Sequence, residues 1–318
     1  SRGLGDVYKR QMFILPGIWE LASLLAKLLL YVGAFSIAGG CLSAWRYSNA
    51  DRALLFSNFS YIFVGTVIGF HGALLGFLVQ VGLINDSGLP GMFDWGMISI
   101  LLGTGLGDVT LLRLLAFILA GVSSVIVLKK LQRSNIDLKN PLTRLLFLLQ
   151  LVALLALAFS HRITGHVSVL SLMAQISIVM HFAAFALWIG CLYPFLQLSR
   201  SVDIDVLEKT LKRFGDNAIV ILFALFLGGG VMLYELLESP MTLINSDYGL
   251  TLLLKLTLVL VMLGVAAMNK LMLVPVLISS GSRVKLQRSI RYELAIAVVI
   301  LVVTSYLSTI VGPAGHQM

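Results

Sequence analysis

Apolar residues in this chain come in long unbroken runs, with the polar residues gathered between them. The runs do not alternate like a half-buried strand, nor do they carry the polar face of a soluble amphipathic helix. Each has the length that takes an α-helix through a hydrocarbon core of about 30 Å. About eight such segments are expected, over 17–45, 54–81, 109–128, 142–160, 169–198, 218–237, 250–277 and 292–311. The architecture they predict is all-α, a polytopic membrane helical bundle forming a single transmembrane domain over 12–318. The stretch 82–108 carries three Asp and no Lys or Arg. Its apolar middle, 92–102, is expected to form a short interfacial or re-entrant helix.

Composition agrees with the pattern. Hydrophobic residues make up 58% and charged residues 12%, against about 25% charged in soluble domains. In a soluble protein, a net charge of +8 would suggest nucleic acid. Here the basic residues sit in alternate loops: Arg46 and Arg52, then Lys129 to Arg144, then Arg200 to Arg213, then Lys270 to Arg291. By the positive-inside rule these loops face the cytoplasm and both termini face outward. The expected surroundings are a lipid bilayer, with no nucleic-acid partner. Residues 1–11 are polar and end at Met12; they resemble a translated adaptor or tag, and we read Met12 as the start. Cys41 and Cys191 both lie in apolar segments without a CxxC pair, so neither a disulfide framework nor a thiolate zinc site is expected.

The candidate chemistry is histidine-based. His71, His161, His166, His181 and His316 all fall in the outward half of the expected topology or beyond it. His181 lies about 15 Å inside its span, and a buried imidazole there needs a partner, a metal or a wet cavity. Met180 is adjacent to it and Met173 lies nearby on the same span. Imidazole with thioether suits copper, the thioether favouring Cu(I) and a hard carboxylate such as Glu235 favouring Cu(II). His166, in the Thr164-Gly165-His166 turn, and His161, at the end of span four, are candidates for an outer mouth. His71 lies beside a stripe of Gly65, Gly69, Gly72 and Gly76 that lets helices approach closely. Each of these histidines has a plain alternative: a neutral ring hydrogen-bonded to a neighbour, or a solvated loop residue. Lys27, Lys255 and Glu235 are charges within apolar segments, expected to pair or to snorkel. Gly228-Gly229-Gly230 is expected to loosen span six. No GxxxxGK[ST], HExxH or GxSxG motif occurs, so an enzyme is not expected.

Several short motifs, taken in order, resemble the CopD/PcoD copper-resistance family. They are Gly165-His166, His181-Phe182-Ala183-Ala184, Ala186-Leu187-Trp188-Ile189-Gly190 with Pro194, Arg213-Phe214, Tyr248-Gly249 with Leu252-Leu253-Leu254-Lys255, Asn269-Lys270, Leu273-Val274-Pro275 and Glu293. Leu101-Leu102-Gly103-Thr104 with Gly107 and Arg113 is similar. The resemblance implies an eight-helix bacterial inner-membrane protein that imports or handles copper, with a periplasmic CopC-like carrier as partner. The family's ligands carry over to His166 and His181. Positions where the family often has further histidines hold Leu30-Tyr31 and Ser177 here. Two other functions fit the same residues. One is a membrane cytochrome with haem b held axially by two histidines, His71 and His181 for example. The other is an assembly subunit without a ligand of its own.

Overall fold

In this computed structural model the described residues are 16–48, 51–133, 137–163, 170–237, 239–280 and 283–312. In chain order they form α1 (Ile18–Arg46), α2 (Arg52–Asn85), a 3-10 turn (Leu89–Phe93), α3 (Trp95–Leu102), α4 (Gly105–Arg133) and α5 (Pro141–Ser160). Then come α6 (Leu172–Gly190), α7 (Leu192–Ser201), α8 (Ile204–Leu236), α9 (Thr242–Asn245) and α10 (Asp247–Met268), which runs into a π turn (Asn269–Leu273). Finally α11 (Leu277–Ser280) precedes α12 (Arg283–Tyr306), which ends in a second π turn (Leu307–Val311). Eight helical stretches are long and apolar enough to cross a membrane, and each matches one expected span. No strand occurs among the described residues. The chain is a multi-pass membrane protein.

Side-chain caps set where several helices begin. Asp51, Asp94, Asn140, Ser171 and Ser246 each accept a hydrogen bond from a backbone N–H in the first turn that follows, satisfying donors that the helix itself cannot. A short helix does form within the 92–102 stretch: it is α3, whose Trp95 and Ile100 are exposed.

The central stave is α1, which packs on α2, α5, α6, α7 and α12. Helices in lipid gain little from apolar burial against one another, so close approach of small residues has to supply the packing. A Cβ added at Gly33 would lie 2.5 Å from the Gly69 Cα of α2. One added at Gly39 would lie 1.8 Å from the Gly190 carbonyl carbon of α6. Gly65, Gly69 and Gly72 of the expected stripe all press on α1. A buried Gln150 ties α5 to α4, its Nε2 donating to Ala120 O (3.0 Å) and to Ser123 and Ser124 Oγ (both 2.9 Å).

Two expectations change in detail. The fifth span is not one continuous helix: α6 and α7 meet at a turn on Cys191. Pro194 has no N–H to donate to Gly190 O four residues earlier, and the Gly39–Gly190 crossing fixes the backbone there. The Gly228-Gly229-Gly230 run, by contrast, leaves α8 unbroken. Its role is to receive a side chain from α6.

Below, the face reached by the loops rich in Lys and Arg is called the basic face, and the other the opposite face.

Candidate functional site

Two histidines lie in the half of the bundle near the opposite face, on different sides of α6. His161 caps the C-terminus of α5. Its ring lies 4.3 Å from that of Phe182 on α6 and 5.9 Å from that of Tyr31 on α1. Its Nε2 is buried and makes no hydrogen bond. Two cations stand beside it. Arg113 Nε donates to Ser160 Oγ at 2.8 Å, and Lys27 Nζ donates to Ser308 O (3.2 Å) and Oγ (3.1 Å). No carboxylate pairs with either among the described residues.

Burial, with Arg113 and then Lys27 adding to it, holds the His161 pKa well below the usual imidazole range. The ring is therefore neutral, with one nitrogen protonated and the other carrying a lone pair. An unfolded chain takes up a proton near pH 6.5 that this folded site refuses. Acidification below about 6.5 is therefore expected to cost stability, because the unfolded state binds more protons. In the variant Lys27→Met the loss of a neighbouring charge is expected to move the His161 titration upward, read by NMR of labelled imidazole. An unmoved titration would remove Lys27 from this electrostatic account.

His181, about 14 Å along α6 from its start, turns to α8. Its Nδ1–H donates to Leu225 O at 2.9 Å. The ring is seated on the glycine run: a Cβ at Gly228 would be 3.1 Å from His181 Cβ, and one at Gly229 would be 3.2 Å from its Nδ1 and Cε1. A carbonyl accepts only, so the proton is on Nδ1 and Nε2 is the acceptor nitrogen. That is the usual way in which a backbone carbonyl orients a metal-binding imidazole.

The other candidates are placed apart. His71 is exposed on α2, with its Nδ1–H returned to Val67 O of its own helix at 2.8 Å. Met173 is 65% exposed at the start of α6. Met180 is half-buried beside His181 in sequence. His166 and His316 lie outside the described residues. Glu235 accepts from Ser171 Oγ at 2.6 Å and makes no ion pair with Lys27 or Lys255. Cys191 is buried, with its thiol 3.7 Å from Gly39 O, and Cys41 is half-buried; both are free. No group of three or more His, Cys, Asp or Glu suited to a metal ion occurs among the described residues. The structure thus brings His161 to Tyr31, Phe182, Arg113 and Lys27, and His181 to α8, without joining either to His71 or Met173. Sequence reasoning did not foresee the seat made by Gly228 and Gly229. Its signal was a buried-span histidine in a chain that carries paired glycines in another span.

A family model described as "Copper resistance protein D-like, N-terminal domain" matches residues 18–169. A second, "Copper resistance protein D", matches residues 208–307. A curated relative from Pseudomonas syringae pv. tomato, "Copper resistance protein D", is 29% identical over 147 residues, covering 42% of this chain and 47% of that protein. The chain therefore matches about half the length of that relative. No solved structure matches. The two family models meet the chain in the order of its two halves and between them take in seven of its eight spanning stretches. The chain belongs to the copper resistance protein D family.

Proposed function

We propose that this protein handles copper at a bacterial inner membrane and carries it from the periplasm toward the cytoplasm. The reading puts the basic face in the cytoplasm, by the positive-inside rule. The observation that supports it best is His181, whose Nδ1–H is tied to Leu225 O so that Nε2 is left as a neutral donor inside the bundle. A metal ion loses its hydration on entering such a place, and neutral ligands must replace it. Lys27, Arg113 and Lys255 make the surroundings of both histidines positive. That favours singly charged Cu(I) over Cu(II). In this scheme His166 takes the ion at the outer mouth, from a periplasmic carrier of the CopC type. His181 holds it with Met180, and the free nitrogen of His161 lies on the other side of α6. Movement needs no chemical step and no enzyme activity. The membrane potential supplies about 2.3 kcal/mol per charge per 100 mV.

The test is copper entry into vesicles that contain the purified protein, with metal analysis and an optical spectrum of the same preparation. Entry above that of empty vesicles, with copper bound and no Soret band, is the expected result. Entry at the level of empty vesicles would end the transport reading. A Soret band would favour haem instead, although His71 and His181 are not brought to one pocket.

A further inference from the structure

Asn269, Ser289 and Glu293 form a buried polar cluster in the half of the bundle near the basic face. Glu293 and Ser289 are each 3% exposed, and Asn269 is 9% exposed. Asn269 opens the π turn after α10, and its Nδ2 donates to Glu293 Oε1 at 2.5 Å. Ser289 lies one turn before Glu293 on the same face of α12. Two acceptors in the cluster have no hydrogen bond: Asn269 Oδ1 and Ser289 Oγ.

No cation among the described residues neutralises Glu293. From the α10 stretch, Lys270 gives its ammonium to Gly215 O (2.7 Å) and Asp216 Oδ1 (3.3 Å), and Lys255 lies beside His181. From α1, Lys27 is held by Ser308 near the opposite face, Arg46 is exposed, and Cys41 is a half-buried thiol. From α7, Tyr193 and Arg200 are exposed. On α12 itself Arg288, Arg291 and Tyr292 are exposed. A lone carboxylate in such a place is costly, and the single amide donor satisfies only one of its oxygens.

One change answers both deficits. A proton on the second carboxyl oxygen removes the charge and creates a donor beside an amide whose oxygen has none. We propose that Glu293, with Asn269 and Ser289, is a proton-binding site. The step is COOH to COO⁻ plus H⁺, with the proton leaving toward the basic face. The π turn at Asn269 gives the site a backbone that is not locked in regular α-helical bonding, a feature frequent at functional positions. Resting on the copper reading above, the site also acts as a countercharge: the acid releases its proton as a cation passes and recovers it afterwards.

Infrared difference spectroscopy of the full chain, stepped in pH without copper, tests the site. The expected result is a carboxylic-acid C=O band that shifts in D2O. It should be lost in Glu293→Gln, displaced in Glu293→Asp and retained in Glu208→Gln, whose carboxylate is paired with Lys212. Absence of the band in the parent protein, or its survival in Glu293→Gln, overturns the proposal. So does a band abolished by sodium at constant pH, which would make the site one for a metal cation. Should Glu293→Gln not fold, the displacement in Glu293→Asp carries the assignment. These readings use no copper and stand apart from transport. In vesicles that do move copper, a flux unchanged by Glu293→Gln overturns the countercharge role alone.

Discussion

Replacing Gly39 with valine is expected to abolish the folded bundle. A Cβ there falls 1.8 Å from the Gly190 carbonyl carbon and 2.4 Å from the Cys191 backbone nitrogen. Both are backbone atoms, which cannot swing aside as the end of a side chain can. The helices must separate, and α1 is the stave against which five others pack. Overpacking ordinarily costs about 1–3 kcal/mol; at this crossing about 3 kcal/mol or more is expected, since nothing soft can yield. The measurement is thermal unfolding of the protein in detergent, together with the yield of monodisperse material. Gly264→Ala is the comparison, because a Cβ at Gly264 meets nothing within 4 Å. That variant is expected within about 1 kcal/mol of the parent. Equal stability of the two variants would show that α1 and α6 do not cross as described.

The second large effect is expected at His181. On the copper reading, His181→Ala removes the donor nitrogen inside the bundle, and bound copper should weaken at least tenfold to a hundredfold, the range seen when even a supporting group of a metal site is lost. Copper content of the purified protein and copper accumulation by cells are the two readouts. Gly229→Leu separates the position of the ring from its presence. It keeps the imidazole but fills the space 3.2 Å from it, so the Nδ1–H bond to Leu225 O is lost and the tautomer is no longer set. A parallel loss in both variants is expected. Normal copper binding in His181→Ala would exclude the residue as a ligand. A loss only in His181→Ala would show that the seat on α8 is dispensable.

How much of this was legible beforehand follows from the physics of each feature. Spans could be read because the bilayer imposes a length and an apolar character on every crossing helix, whatever its neighbours. The short helix α3 was legible as an apolar run too short to cross. The break at Cys191 was only half visible: Pro194 announces a weakened helix, but the close contact with Gly39 lies 152 positions away in the chain. Histidine depth could be counted along each span. Ring direction could not, since it depends on which helix stands opposite. His71 was expected beside a close helix contact, and Gly72 next to it does press on α1, yet the ring itself points outward. Lys27 and Glu235 were expected to pair or snorkel. They do not pair with each other: Lys27 donates to Ser308, and Glu235 accepts from Ser171.

The order of residues by itself determined a helical membrane protein with eight crossings, the alternation of basic loops, and motifs in the sequence of one family. Those properties are local sums over single segments, so no knowledge of packing is needed to obtain them. Only the tertiary structure decided that His161 sits between aromatic rings with a bare nitrogen, that His181 leans on the glycines of α8, and that Glu293 meets Asn269 without a cation. Each of those depends on side chains from separate helices arriving at one place. In lipid that arrival is governed by close contacts between small residues far apart in the chain.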